Sequence, residues 1–159
     1  MGKIIALAGR QNYGKSTTLN FLINLLSSVA DSKEIYLNDD INNDNDARAY
    51  FKINGKWIFV GTDGDAAKNV RANVRETKKY DCEIGIIASR ATGESAKTAK
   101  KSVTSDGEPI TIVHKNDLED SLPKSLSKGA KNRIIAAKLF QEIFEAIVPK
   151  LANEKLLED

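Results

Sequence analysis

The strongest constraint this chain places on its own fold is the octet Gly9-Arg10-Gln11-Asn12-Tyr13-Gly14-Lys15-Ser16, entered from the apolar run 4–8 and left through Thr17-Thr18-Leu19. A buried strand must stop there and turn back into a helix. Gly9 and Gly14 are expected to permit the backbone angles, so that successive N–H groups converge on an anion at the positive end of the helix. Lys15 then stands where an ammonium reaches the β- and γ-phosphates of a nucleoside triphosphate, and Ser16 where a hydroxyl can ligate Mg²⁺. The expected nucleotide contacts are Gly9, Arg10, Gln11, Asn12, Tyr13, Gly14, Lys15, Ser16 and Thr17.

Length and charge narrow the rest. A chain of 159 residues fits one domain, 1–159, with a real core. Its 24 Lys and Arg against 22 Asp and Glu leave a net charge of only +2, too weak a field to draw it to nucleic acid or a membrane. The single cysteine, Cys82, excludes an internal disulfide framework. No apolar run approaches the roughly 18 residues of a membrane span, and the first residues lead straight into a strand without a signal peptide, so a cytoplasmic protein is expected.

Leu19, Leu22, Ile23, Leu26 and Val29 recur at helical spacing and predict a helix over about 15–30. A short strand over 33–37 and a polar loop over 38–46 follow. The runs 49–53 and 56–60 flank Asn54-Gly55, a pair that tolerates the positive φ angles of a type I′ hairpin turn. Further on come a helix over about 66–79, a buried strand over 83–88, a short polar helix over 94–103 and a strand over 109–113. A terminal helix over about 130–148 carries Ile135, Leu139, Ile143, Phe144, Ile147 and Leu151, with a kink or end near Pro149. Alternating strands and helices imply an α/β fold in three layers: a mostly parallel sheet covered on both faces, with an antiparallel hairpin at its edge.

By its octet and by the acidic cluster that follows an apolar strand, the chain resembles the P-loop NTPase superfamily. The resemblance implies ATP or GTP with Mg²⁺ as ligands and cleavage of the γ-phosphate. The segment Trp57-Ile58-Phe59-Val60-Gly61-Thr62-Asp63 is similar to a Walker B strand, whose terminal carboxylate would hold Mg²⁺ next to Ser16. Asp63 is the first choice for that role and Asp65 the second; the alternative is that one of them caps the next helix.

Two narrower resemblances compete within the superfamily. His114-Lys115-Asn116-Asp117 is similar to the guanine-reading segment of GTPases, with Lys115 and Asp117 as the base contacts. Against it, no threonine occurs between Asp31 and Gly61 to serve as a switch residue, and Ala66 stands where Asp-x-x-Gly requires glycine. ATP is therefore favoured. Small P-loop kinases instead use arginines to stabilise a transferred phosphoryl group, for which Arg90, after a buried strand, and Arg71 and Arg75 are available. Arg90 joins Lys15 as a catalytic candidate. The reading is an Mg²⁺-dependent nucleoside triphosphatase, with a metabolite kinase or a GTPase-like switch or assembly module bound to a protein partner or a second copy as alternatives. The stretch 40–51 echoes a calcium loop but lacks its glycine and its final glutamate. Lys97, Lys100 and Lys101 form a solvated basic face, and Trp57 and Cys82 read as packing residues.

Overall fold

The computed structural model describes residues 2–10, 14–36 and 46–148. Along them run β1 (Lys3–Ala8), α1 (Lys15–Val29), β2 (Ser32–Tyr36), β3 (Arg48–Ile53), β4 (Lys56–Gly61), α2 (Ala67–Lys79), β5 (Ile84–Ser89), α3 (Gly93–Lys101), β6 (Thr111–His114), α4 (Lys115–Asp120) and α5 (Lys128–Ile147). The six strands form one sheet in the order β2-β3-β4-β5-β1-β6. From β4 to β6 all pairings are parallel, while β3 runs antiparallel to both of its neighbours.

Continuous apolar runs mark strands covered on both faces, and β1 shows how one run serves two cores. Ile5 and Leu7 point to one face, where α1 contributes Leu19, Leu22, Ile23 and Leu26 and α5 contributes Ile135, Ala136, Leu139, Ile143 and Ile147. Ile4 and Ala6 point to the other, against Val70 and Val74 of α2 and Ala99 of α3. Helices that follow β1 and β5 thus pack on opposite faces of the sheet. Between such neighbours the helices diverge, and a crevice opens at the carboxyl ends of the strands.

The expected three-layer α/β architecture is present, with local differences. Asn54 and Gly55 have φ values of 52° and 77°, as a type I′ turn requires, yet the hairpin is not the sheet edge, because β2 pairs outside β3. Gly14 adopts φ 83° as the N-cap of α1, whereas Gly9 is not in the left-handed region; what faces its α-carbon is the stem of Lys15. Val29 and Phe144, expected on the buried faces, are about half exposed at the ends of their helices. The segment after β6 coils into α4, a helix the sequence reading did not anticipate. Leu151 and Pro149 lie outside the described residues, as do Gln11, Asn12 and Tyr13 and most of the polar loop.

Candidate active site

Lys15 is buried at the crevice. Its Nζ donates to the carbonyl of Gly9 at the end of β1 (2.8 Å) and to that of Ser89 at the end of β5 (2.9 Å), and it lies 3.5 Å from Asp65 Oδ1. Burial pushes the ammonium below the usual lysine value, and the Asp65 carboxylate partly counters the shift. Arg90 Nε stands 3.8 Å from the same Asp65 oxygen. Asp65, itself half exposed, thus carries two cations at the mouth of the crevice.

Ser16 faces the other way. Its hydroxyl donates to Asp46 Oδ1 at 2.8 Å, and Thr62 Oγ1 donates to the same oxygen at 3.0 Å while accepting from the Ala47 N–H at 2.8 Å. Asp46 is therefore the carboxylate in contact with Ser16. In the sequence Asp46 is one more residue of a polar loop, with nothing in its neighbours to single it out.

Asp63 is held differently. Asn69 Nδ2 (2.9 Å) and Arg48 Nη2 (3.2 Å) donate to its Oδ2, and Asn73 Nδ2 donates to its Oδ1 (3.0 Å) and to its main-chain carbonyl (2.8 Å). Neither Asp63 nor Asp65 caps α2; the N-cap is Ala66, whose N–H donates to the Asn69 side chain. Because β5 lies between β4 and β1, Asp63 reaches the site from two strands away. Gly64 makes that reach possible: a β-carbon there would come within 2.1 Å of the Ala88 carbonyl oxygen.

Lys15, Ser16, Asp46, Thr62, Asp63 and Asp65 line one cavity of about 670 Å³; Arg90 is not among its described lining residues. Gly14, Lys15, Ser16 and Thr17 form its floor at the start of α1, and its walls are drawn from Asp46 with Thr62 to Asp65 and from Asn20, Phe21 and Asn24 of α1 with Lys128, Gly129 and Asn132 of α5. The α5 wall was not foreseen. Arg10 is exposed beside the loop. Lys115 and Asp117 do not line the cavity: Lys115 is fully buried and pairs with Glu119 one turn along α4, and Asp117 is exposed on that helix. Arg71 and Arg75 are exposed on α2 and do not line it either. Among the described residues no cluster of three His, Cys, Asp or Glu side chains could by itself hold a metal, so a cation here would depend on ligand oxygens as well.

A strand-to-helix turn with a buried lysine at a topological switch point, and a serine hydroxyl tied to a carboxylate beside it, define a P-loop NTPase. Within that superfamily, the family model described as ABC transporter matches residues 1–143, and the chain belongs to this family. Its P-loop domains bind and hydrolyse ATP. Comparisons with curated proteins and with solved structures find no match. Among the described residues no helix is long and apolar enough to cross a membrane.

Proposed function

We propose that the chain forms a single nucleotide-binding domain over 1–159 that takes Mg²⁺-ATP into this cavity and hydrolyses its γ-phosphate. The observation that carries the reading is the position of Lys15, whose ammonium is fixed by two strand-end carbonyls directly under the cavity floor. Among the described residues the ammonium also lies near the half-exposed Asp65, which a phosphate oxygen can replace. Arg90 sits close enough to the same spot to add a second positive charge.

The donor set suits a hard cation. Ser16 Oγ and the Asp46 carboxylate lie 2.8 Å apart in the cavity lining, with Asp63 and Asp65 also lining it, and oxygen ligands of this kind are what Mg²⁺ takes. When bound, Mg²⁺ would neutralise charge on the β- and γ-phosphates. Asp63, already held by Arg48, Asn69 and Asn73, would keep a fixed negative charge two strands from Lys15, while Asp46 would be the carboxylate that exchanges Ser16 for the ion. Lys115 packs beside Gly9, but neither it nor Asp117 lines the cavity, and the family match supports ATP as the nucleotide.

The test is a thermal-shift panel with ATP, GTP, ADP and GDP in Mg²⁺, followed by measurement of free phosphate. Lys15→Ala should lower ATP affinity about tenfold to a hundredfold, the worth of hydrogen bonds to a charged group, and abolish phosphate release while the protein stays folded. Asp46→Asn should weaken the Mg²⁺ dependence of ATP binding more than Asp65→Asn does. Undiminished binding and turnover in folded Lys15→Ala would remove the basis of the proposal.

A further inference from the structure

The α5 wall of the cavity holds a polar group whose chemistry is unmatched. Asn132, in the second turn of α5, is 4% exposed and lines the cavity, and its Oδ1 has no hydrogen-bond partner among the described residues. The same amide packs over Gly14, where a β-carbon would lie 3.0 Å from Nδ2. A buried amide oxygen left without a donor is costly, so one that persists on a cavity wall points to a ligand that supplies the donor.

That requirement selects the part of the ligand. Phosphate oxygens at neutral pH act as acceptors, and their partners are already present in Lys15 and Ser16 on the cavity floor. An amide oxygen needs an N–H or O–H. In a nucleoside triphosphate those donors sit on the nucleoside: the ribose hydroxyls and the amine of adenine. Thr17, Phe21 and Lys128 continue the cavity on this side, giving a partly apolar pocket next to the loop that holds the phosphates.

We propose that Asn132 reads the nucleoside, accepting at Oδ1 a hydrogen bond from a ribose hydroxyl or a base N–H, and that the wall formed by the start of α5 and by Phe21 is the nucleoside subsite. This rests on the nucleotide reading above. It makes α5, which otherwise serves the core, part of ligand recognition.

The experiment compares ATP with inorganic tripolyphosphate, both with Mg²⁺, by calorimetric titration of the full chain and of Asn132→Leu. Loss of the buried acceptor should leave the melting temperature of the ligand-free protein unchanged or raised, since an unmatched polar group is replaced by an apolar one of similar size. ATP should bind roughly tenfold more weakly, the fold-change of one lost hydrogen bond to a buried partner, while tripolyphosphate binds as before. In the unmodified protein, 2′,3′-dideoxy-ATP separates the ribose from the base, and inosine triphosphate, with a carbonyl in place of the 6-amine, tests the base. One of the two should show the same weakening as the variant. Equal losses for ATP and tripolyphosphate would mean that Asn132 only supports the turn at Gly14, and equal binding of all four ligands to the unmodified protein would also overturn the proposal. If tripolyphosphate and ATP both fail to bind that protein, the nucleotide reading itself fails.

Discussion

Under α1 and α5 the sheet meets apolar side chains almost without interruption, from Leu19, Leu22 and Leu26 to Ile135, Leu139 and Ile143, whereas under α2 the buried set is interrupted by polar groups. There Asn73 and Thr77 are buried beside Val70 and Val74, the Tyr50 hydroxyl donates to Glu76, and Cys82 is enclosed close by. The polar groups are linked. Thr77 Oγ1 donates to the Asn73 carbonyl (3.0 Å), Arg48 Nε donates to Asn73 Oδ1 (3.0 Å), and Asn73 in turn grips Asp63. One face contributes stability mainly through apolar burial; the other gives up apolar contact to fix a carboxylate at the cavity.

The largest effect that sharpens this contrast is a cavity in the dry face. Leu22→Ala should cost about 2–5 kcal/mol in urea unfolding, because it removes a fully buried side chain between α1 and the sheet. At temperatures where the variant remains folded, its ATP affinity should match that of the unmodified protein. Asn73→Leu should cost less, about 1–3 kcal/mol, since it deletes hydrogen bonds to Asp63 and leaves a buried carboxylate short of donors. It should also weaken Mg²⁺-dependent ATP binding. If Leu22→Ala altered affinity and Asn73→Leu did not, the division of labour between the two faces would be wrong.

The smallest effect shows only at high pH. Burial, aided by Asp81 and Glu76, pushes the Cys82 thiol up to about 12, and burial with the Glu76 hydrogen bond raises the Tyr50 phenol as well. A folded-state value above the unfolded one, roughly 8.5 for a free thiol, means that the stabilisation is complete below that value and is lost as pH rises through about 12. Cys82→Ala should therefore show a shallower fall in urea stability than the unmodified protein between about pH 9 and 12. Near neutrality the slopes should coincide. A parallel fall throughout would place the thiol in an environment as wet as a surface residue.

Periodicity made most of this fold legible, because α1, α5 and the central strands bury largely apolar faces that can be read directly from residue spacing. The hairpin was equally clear, since Asn54-Gly55 specifies its own turn. α4 was not: Lys-Asn-Asp-Leu-Glu-Asp has no apolar stripe, and its one buried residue is a lysine. In the site, Lys15 and Ser16 are legible because local chain geometry places them. Asp46 was hidden among acidic and amide neighbours of the same composition, and only the distant contacts with Ser16 and Thr62 single it out. Asn132 falls between apolar positions of a helix, where spacing assigns a polar residue no task.

The crossing of the β4–α2 turn over the end of β5 also bears on how this sequence can drift. At residue 64 even a methyl group would run into the Ala88 carbonyl, so every single-nucleotide change that alters the amino acid there meets main chain and not a side chain that could swing aside. Asp65, one position along and half in solvent, faces no such barrier. Adjacent codons in this turn therefore sit at opposite extremes of tolerance, and a library of random variants selected only for folding should recover many residues at position 65 and glycine alone at position 64.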